Sequence, residues 1–386
     1  MASSKEEEYL TKNRKKKILK MPLINGNSST YNVYTSLPLI LNHSKNYALA
    51  TVSATKGSAP QKRGSAGLFG EEGLVAGTIG GGVVEFSIQN IVKETIRNKI
   101  SAFHTFDLNK DISDSEGGIC GGKMEILLDA EPEKHVEVFK NIKKSLFRRT
   151  PGVMVTHIIT NKEGFNKIER QWVTYKDLEH DSTGLAPEIK GLVGDMLAQP
   201  AEGDFKKTDF YQHSDKYKLT VCLEKIIPPP RLIIAGAGHI GRALSHLGKM
   251  VGFEVIVWDY RSDYATRENL PDADLILNGS IDNSLAEIKV DENTYITAVT
   301  TGHKKDTEVL KTFLKSNAGY IGMIGSRKKG ILMREKFLNE GWATAEQWKQ
   351  IHIPIGLDIN SETVEEIAVS IVAQLVQVRH KTDRKL

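Results

Sequence analysis

Residues 231–241 read Arg-Leu-Ile-Ile-Ala-Gly-Ala-Gly-His-Ile-Gly, an apolar run feeding directly into a Gly-x-Gly-x-x-Gly turn. A helix-like stretch over 242–251 follows, and then a second apolar run, 254–258, that ends on Asp259. Each part has a mechanical job. Gly236 permits the tight turn, Gly238 lets a pyrophosphate approach the main chain, and Gly241 lets helix and strand pack closely. The helix start offers unpaired N–H groups and the positive end of its dipole to phosphate. Asp259 lies 23 residues beyond Gly236, about where an acid reaches a ribose hydroxyl. Together these features predict a Rossmann-type half-fold. A glycine turn that binds nothing is the plainer alternative, because the fold does not guarantee the ligand.

The pattern continues outward. Strand-like runs at 275–278, 295–300 and 320–324 alternate with helical intervals, which predicts a doubly wound parallel sheet. The last helix is marked by Thr363 with Glu366, a capping box. Its residues Val364, Ile367, Ala368, Ile371, Val372 and Leu375 recur at helical spacing. Upstream, Pro228-Pro229-Pro230 propagates neither helix nor central strand and marks a domain boundary. The expected organisation is a disordered tail over 1–30, an α+β domain over 31–227 and a Rossmann-like α/β domain over 228–386. Within the α+β domain the patterns predict helices over 34–41, 83–98 and 132–147, strands over 47–55 and 123–129, and a hairpin through Gly73. Residues 151–223 read weakly, as further sheet.

A chain of 386 residues exceeds one ordinary core, so two domains are expected. The formal net charge of +4 is local: residues 1–20 hold seven Lys or Arg against Glu6, Glu7 and Glu8, which leaves the remainder neutral by count. The basic character therefore belongs to the tail and not to a nucleic-acid groove. No apolar segment of signal-peptide type follows the tail, and nothing approaches the roughly 18 uninterrupted apolar residues of a membrane span. Cys120 and Cys222 are the two cysteines, too few and too far apart for a disulfide framework or a cysteine zinc site, and the expected location is cytoplasmic. Cys222 sits in an apolar run and reads as a buried structural thiol. No standing metal site is expected.

Three more turns fall just past strand carboxyl ends, where open α/β sheets place ligands. In Thr300-Thr-Gly-His-Lys-Lys-Asp306, His303 is a candidate general acid/base or phosphate contact with Asp306 orienting it; a loop histidine with no task fits equally. In Gly322-Met-Ile-Gly-Ser-Arg-Lys-Lys329, Gly325, Ser326 and Arg327 supply amides, a hydroxyl and a guanidinium for an anion, while a simple helix cap explains Ser326 as well. In Pro354-Ile-Gly-Leu-Asp-Ile359, Asp358 meets a ligand or closes a turn. In the first domain, Gly80-Gly81-Gly82 leads into a helix carrying Glu85, a second anion-binding design unless Glu85 satisfies the dipole itself. Cys120 lies in Gly117-Gly-Ile-Cys-Gly-Gly122, sterically open, with Lys123 near enough to favour thiolate. Accessible thiolates bind soft metals and exchange sulfur.

These segments resemble a known family. Ala50-Thr-Val-Ser-Ala-Thr-Lys-Gly-Ser-Ala-Pro60, Gly77-Thr-Ile-Gly-Gly-Gly82 with Glu85, and Cys120-Gly-Gly122 look like the amino-terminal domain of the XdhC/CoxI family. Gly236-Ala-Gly-His239, Thr301-Gly-His303 with Asp306, Gly322 to Lys328, Pro354 to Ile359 and Glu366 to Ser370 resemble its Rossmann domain. The resemblance implies an accessory factor for molybdenum hydroxylases such as xanthine dehydrogenase. Such a factor binds the molybdenum cofactor, a molybdopterin in mono- or dinucleotide form, while it gains its terminal sulfur, and helps deliver it. A hydroxylase client is implied as partner; a cysteine desulfurase as a further partner and a homodimer are compatible with it. On this view His239, Thr301, Ser326, Asp358 and the Gly236–Asp259 turn hold the phosphate, while Cys120 and Gly80–Gly82 face metal and sulfur. Two departures stand out: Val83 occupies a position where many relatives carry cysteine, and Val364 replaces a helix-start proline. The alternative from the residues alone is an NAD(P)-dependent oxidoreductase with His303 as acid/base, in which Asp259 favours an unphosphorylated ribose and Arg261 a 2′-phosphate.

Overall fold

The structure, a computed structural model, describes residues 32–42, 46–108, 122–161, 164, 166–199, 205–211, 217–285 and 288–380. The 1–30 tail and Cys120 lie outside the described residues. The chain divides into two compact units that meet in sequence at Pro228 and Pro229.

In the first unit, strands β1 (Ala48–Gly57), β2 (Ala66–Gly70), β3 (Gly73–Gly77), β4 (Ala102–Asp107) and β5 (Gly122–Asp129) form an antiparallel sheet in the order β3-β2-β1-β5-β4. Helices α1 (Leu37–Leu41), α2 (Gly82–Asn98) and α3 (Val136–Phe147) accompany it. Successive strand side chains point to opposite faces, and that alternation decides what each helix covers. Ala48, Ala50 and Val52, with Ile126 and Leu128, pack against Val84, Ile88, Val92 and Ile96 of α2. Leu49 and Leu68 pack with Tyr34 and Leu37 and with Phe139 and Ile142 of α3. The helices expected over 34–41 and 132–147 both begin as 3-10 turns, Val33–Thr35 and Pro132–His135. The weakly patterned middle is indeed sheet: β6 (Gly152–Asn161), β7 (Asn166–Val173), β8 (Phe205–Tyr211) and β9 (Tyr217–Ile226) pair antiparallel in the order β7-β6-β9-β8. It also holds two helices, α4 (Tyr175–Glu179) and α5 (Pro187–Ala198). α5 buries Ile189, Val193 and Met196 against Val153, Val155, Val221 and Leu223.

The second unit is a six-stranded parallel sheet of β10 (Arg231–Ala235), β11 (Glu254–Asp259), β12 (Leu275–Asn278), β13 (Thr294–Ala298), β14 (Tyr320–Met323) and β15 (Ile351–His352), ordered β12-β11-β10-β13-β14-β15. Its helices are α6 (His239–Met250), α7 (Ile281–Leu285), α8 (His303–Phe313), α9 (Arg327–Asn339), α10 (Ala345–Lys349) and α11 (Val364–His380). Both faces are covered, which is why β10 and β11 read as near-continuous apolar runs. Ile233, Ala235, Ile256, Trp258, Ile296 and Ala298 pack with Leu310 and Phe313 of α8 and Phe337 of α9. Leu232, Ile234, Val255 and Val257 meet Leu244 of α6 and Ala368, Ile371 and Leu375 of α11. The capping box of α11 forms: Thr363 Oγ1 accepts from Glu366 N at 3.2 Å and Glu366 Oε2 accepts from Thr363 N at 3.0 Å. β13 ends at Ala298, short of the expected Thr300. Val299 donates its N–H to Ala235 at 2.8 Å and turns its carbonyl toward Gly236.

The closest approach in this unit is at Gly241, where an added Cβ would lie 1.8 Å from the Gly236 carbonyl oxygen. Elsewhere in a helix, Gly→Ala stabilises by about 0.5–1 kcal/mol. Here the methyl group has to push α6 off the β10 turn, and Gly241→Ala is expected to destabilise by about 1–3 kcal/mol, the range for overpacking. Denaturant unfolding measures this; equal or greater stability of the variant would contradict the packing described.

Candidate functional site

The strand order reverses between β10 and β13: the chain runs outward through β11 and β12 and then crosses back. Ligands of open α/β sheets bind outside the strand carboxyl ends at such a switch point. Two helices start there. Gly238 caps α6 and Gly302 caps α8, and no side chain caps either helix. A Cβ at Gly238 or at Gly302 would meet nothing within 4 Å. Gly236 and Gly302 both have positive φ, +122° and +106°, but Gly236 alone of the three is crowded: a Cβ there would lie 2.5 Å from the Val299 carbonyl oxygen. Gly236 is therefore needed for the turn, whereas Gly238 leaves room for a ligand.

The acids of the crevice are already engaged. Asp259 is buried; its Oδ2 accepts from Ala237 N at 2.8 Å and from Arg261 Nη2 at 2.8 Å, and its Oδ1 accepts from Arg261 N at 2.9 Å and Nε at 3.0 Å. Burial pushes the Asp259 pKa up, but these hydrogen bonds outweigh it and hold the carboxyl below its ordinary value. Asp306, fully buried, accepts from Thr300 Oγ1 at 2.6 Å and from Lys329 Nζ at 2.7 Å. Asp306 therefore ties the start of α8 to the first turn of α9 and does not orient His303, contrary to the expectation from spacing. Lys329 also donates to the Ile324 carbonyl at 3.0 Å.

The remaining predicted contacts surround these helix starts. His239, Thr301 and His303 are exposed. Ser326 caps α9, accepting from Lys329 N at 3.3 Å, so its hydroxyl performs the local role. Gly325, at φ +150°, gives way to the Lys329 side chain, 2.4 Å from where a Cβ would sit. Arg327 and Asp358 face each other at 3.9 Å with side chains 84% and 86% exposed, a loose pair that an anion can open at little cost.

In the first unit the glycine loop holds an internal anion. Glu85 Oε1 accepts from Thr78 Oγ1 at 2.7 Å, Ile79 N at 3.2 Å and Gly81 N at 3.3 Å. The amides that Gly80–Gly82 would offer an outside anion are thus partly satisfied by the chain's own carboxylate. Gly80 adopts φ +142° and Gly81 φ +82°, and α2 begins at Gly82. Among the described residues, no group of three or more His, Cys, Asp or Glu side chains is placed to hold a metal ion, and no helix is long and apolar enough to cross a membrane.

One cluster has no sequence signal. Tyr34 donates to Glu224 at 2.8 Å across 190 residues, and Arg170 pairs with buried Asp129. They adjoin a small cavity whose polar lining is Thr51, Ser53, Thr156, Arg170, Cys222 and Glu224. Buried Cys222 has its thiol pushed up to about 12 by loss of solvent, the inert structural thiol its apolar neighbours suggest. Burial pushes Glu224 up to about 8 against the Tyr34 hydrogen bond and the Arg170 charge. The folded state therefore holds a proton on Glu224 that the unfolded chain releases above its ordinary 4.5. Stability from this group is present at low pH and is lost as pH rises toward 8, with a limiting slope of about 1.4 kcal/mol per pH unit. Glu224→Gln is expected to flatten that fall, measured by urea unfolding at several pH values; parallel profiles for the two proteins would contradict it.

Comparison with known proteins follows this division of the chain. Residues 232–375 match the XdhC Rossmann domain, and residues 40–107 match the XdhC and CoxI family. Together they span more than half of the chain. A Bacillus subtilis (strain 168) protein named as a probable xanthine dehydrogenase component is 28% identical over 357 residues, covering 91% of this chain and 98% of that protein. The uncharacterized protein YqeB of Escherichia coli (strain K12) is 28% identical over 152 residues, 39% of this chain and 28% of that protein. A crystal structure described as a xanthine dehydrogenase from Bacillus halodurans shares the fold, with a TM-score of 0.67 at 22% identity over 92% of this chain and 97% of the other. With the glycine turn, the parallel sheet and both matched regions in the same order, the chain belongs to the XdhC and CoxI family.

Proposed function

We propose that this chain is an accessory factor for a molybdenum hydroxylase of the xanthine dehydrogenase type, holding the molybdenum cofactor as cargo during sulfuration and delivery. The family and the name of the Bacillus subtilis relative support the client class. The single observation that carries the binding site is the pair of uncapped, glycine-started helices at the switch point, with open space at Gly238 and Gly302. Each helix start leaves first-turn N–H groups without an intrahelical partner and carries the positive end of a dipole. A phosphate satisfies both, and molybdopterin carries one.

Residues take roles accordingly. The first-turn amides of α6 and α8 bind the phosphate; His239, His303 and the Thr301 hydroxyl are exposed beside them, and Arg327 is within easy reach of reorientation. The cargo supplies the molybdenum chemistry to its client. This chain binds it, orients it and shields it. Sulfur handling falls to Cys120 with a cysteine desulfurase as donor, and Gly80–Gly82 with Glu85 forms a further turn of the first unit. A nicotinamide oxidoreductase would need Asp259 or Arg261 free for the adenosine ribose or its phosphate, and these two are bonded to each other.

Gly238→Val tests the site apart from the fold. At φ −72° the position accepts any residue, and its Cβ meets nothing, so the variant is expected to fold normally. Its side chain fills the phosphate space, and the pterin retained through purification, read by fluorescence and mass spectrometry, is expected to fall by about tenfold or more, equivalent to about 1.4 kcal/mol. Undiminished pterin, or none in either protein, would refute the proposal.

A further inference from the structure

We infer that Asp259 is a lock for the glycine turn and not a ribose acceptor, so that the crevice discriminates against an adenine dinucleotide, whose ribose would need this carboxylate. This rests on the phosphate-binding crevice proposed above. In dinucleotide sites of this fold, the acid at the end of the second strand accepts hydrogen bonds from the ribose hydroxyls. A carboxylate has about four acceptor positions. At Asp259 four donors fill them: Ala237 N–H, Arg261 N–H, Arg261 Nε and Arg261 Nη2, all at 2.8–3.0 Å.

The lock is built from both sides. The Ala237 bond joins the middle of the Gly-Ala-Gly turn to the end of β11, fixing the approach to α6. The guanidinium is in turn held over the ring of Tyr264 at 3.8 Å and near that of Tyr260 at 5.4 Å. A planar fork that is bonded at its edge and stacked on its face gives up its partner only to a better one. A ribose diol, neutral and weakly donating, is not that partner. The phosphate at the start of α6 is therefore accepted where the sugar beyond it is not.

The test uses NADH and 6-hydroxymethylpterin monophosphate as fluorescent probes, titrated into the full chain and into Arg261→Ala. The wild type is expected to bind the pterin monophosphate at least about tenfold more tightly than NADH. Arg261→Ala returns acceptors to Asp259 and is expected to tighten NADH by about tenfold. Arg261→Lys keeps the charge but loses the fork, and is expected to move NADH in the same direction should the alanine variant fold poorly. NADH binding unchanged or weakened in the folded variants would overturn the inference. If the pterin monophosphate fails to bind while the variants still gain NADH, the lock stands and the cargo assignment falls.

Discussion

The structure of the second unit depends on main-chain contacts that only glycine allows. Gly241 sits against the carbonyl of Gly236, and Gly236 sits against the carbonyl of Val299. The first contact brings α6 down onto β10, and the second presses the β10 turn against the end of β13. Because the two strands flank the switch point, the same contacts set the distance between the starts of α6 and α8. A side chain at either glycine would force the backbone apart, and the crevice would lose its shape before it lost any ligand contact. Gly238 and Gly302, which have the same residue type and no neighbours, are free of this packing demand.

Electrostatics then determines what the crevice attracts. Its two buried acids are neutralised within the protein, Asp259 by Arg261 and Asp306 by Lys329. Buried pairs of this kind contribute little net stability compared with apolar packing, but breaking one leaves a charge stranded. Their effect here is organisational. Asp306 and Lys329 link α8 to α9, and Asp259 links the glycine turn to β11. What remains at the surface is the positive ends of helices with His239 and His303 beside them and the loose, exposed Arg327–Asp358 pair.

Much of this is legible in the sequence where the chemistry is local. The glycine turn, the apolar runs of β10 and β11 and the capping box at Thr363 involve neighbours within a few residues, and each appears as expected. Strands β7 and β8 leave no such mark. They lie at the two edges of their sheet, and stretches such as Lys206-Lys207-Thr208-Asp209 carry the charged residues that keep an edge from pairing with another chain. Partnerships over long separations are equally hidden. Spacing places Asp306 with His303, three residues away, whereas its cation is Lys329, brought close by the packing of two helices. Tyr34 and Glu224 are further apart still, and nothing in either neighbourhood announces the other. Arg261 is visible beside Asp259, but whether the pair is open or closed depends on a turn geometry that spacing does not encode.

The proposed phosphate-binding role of the crevice is tested most directly by a crystal structure of the full chain soaked with 6-hydroxymethylpterin monophosphate. Phosphate density is predicted against the first-turn amides of α6, at Gly238, with the opening beside Gly302 occupied. A well-ordered crevice left empty, or phosphate bound elsewhere on the chain, would contradict that role.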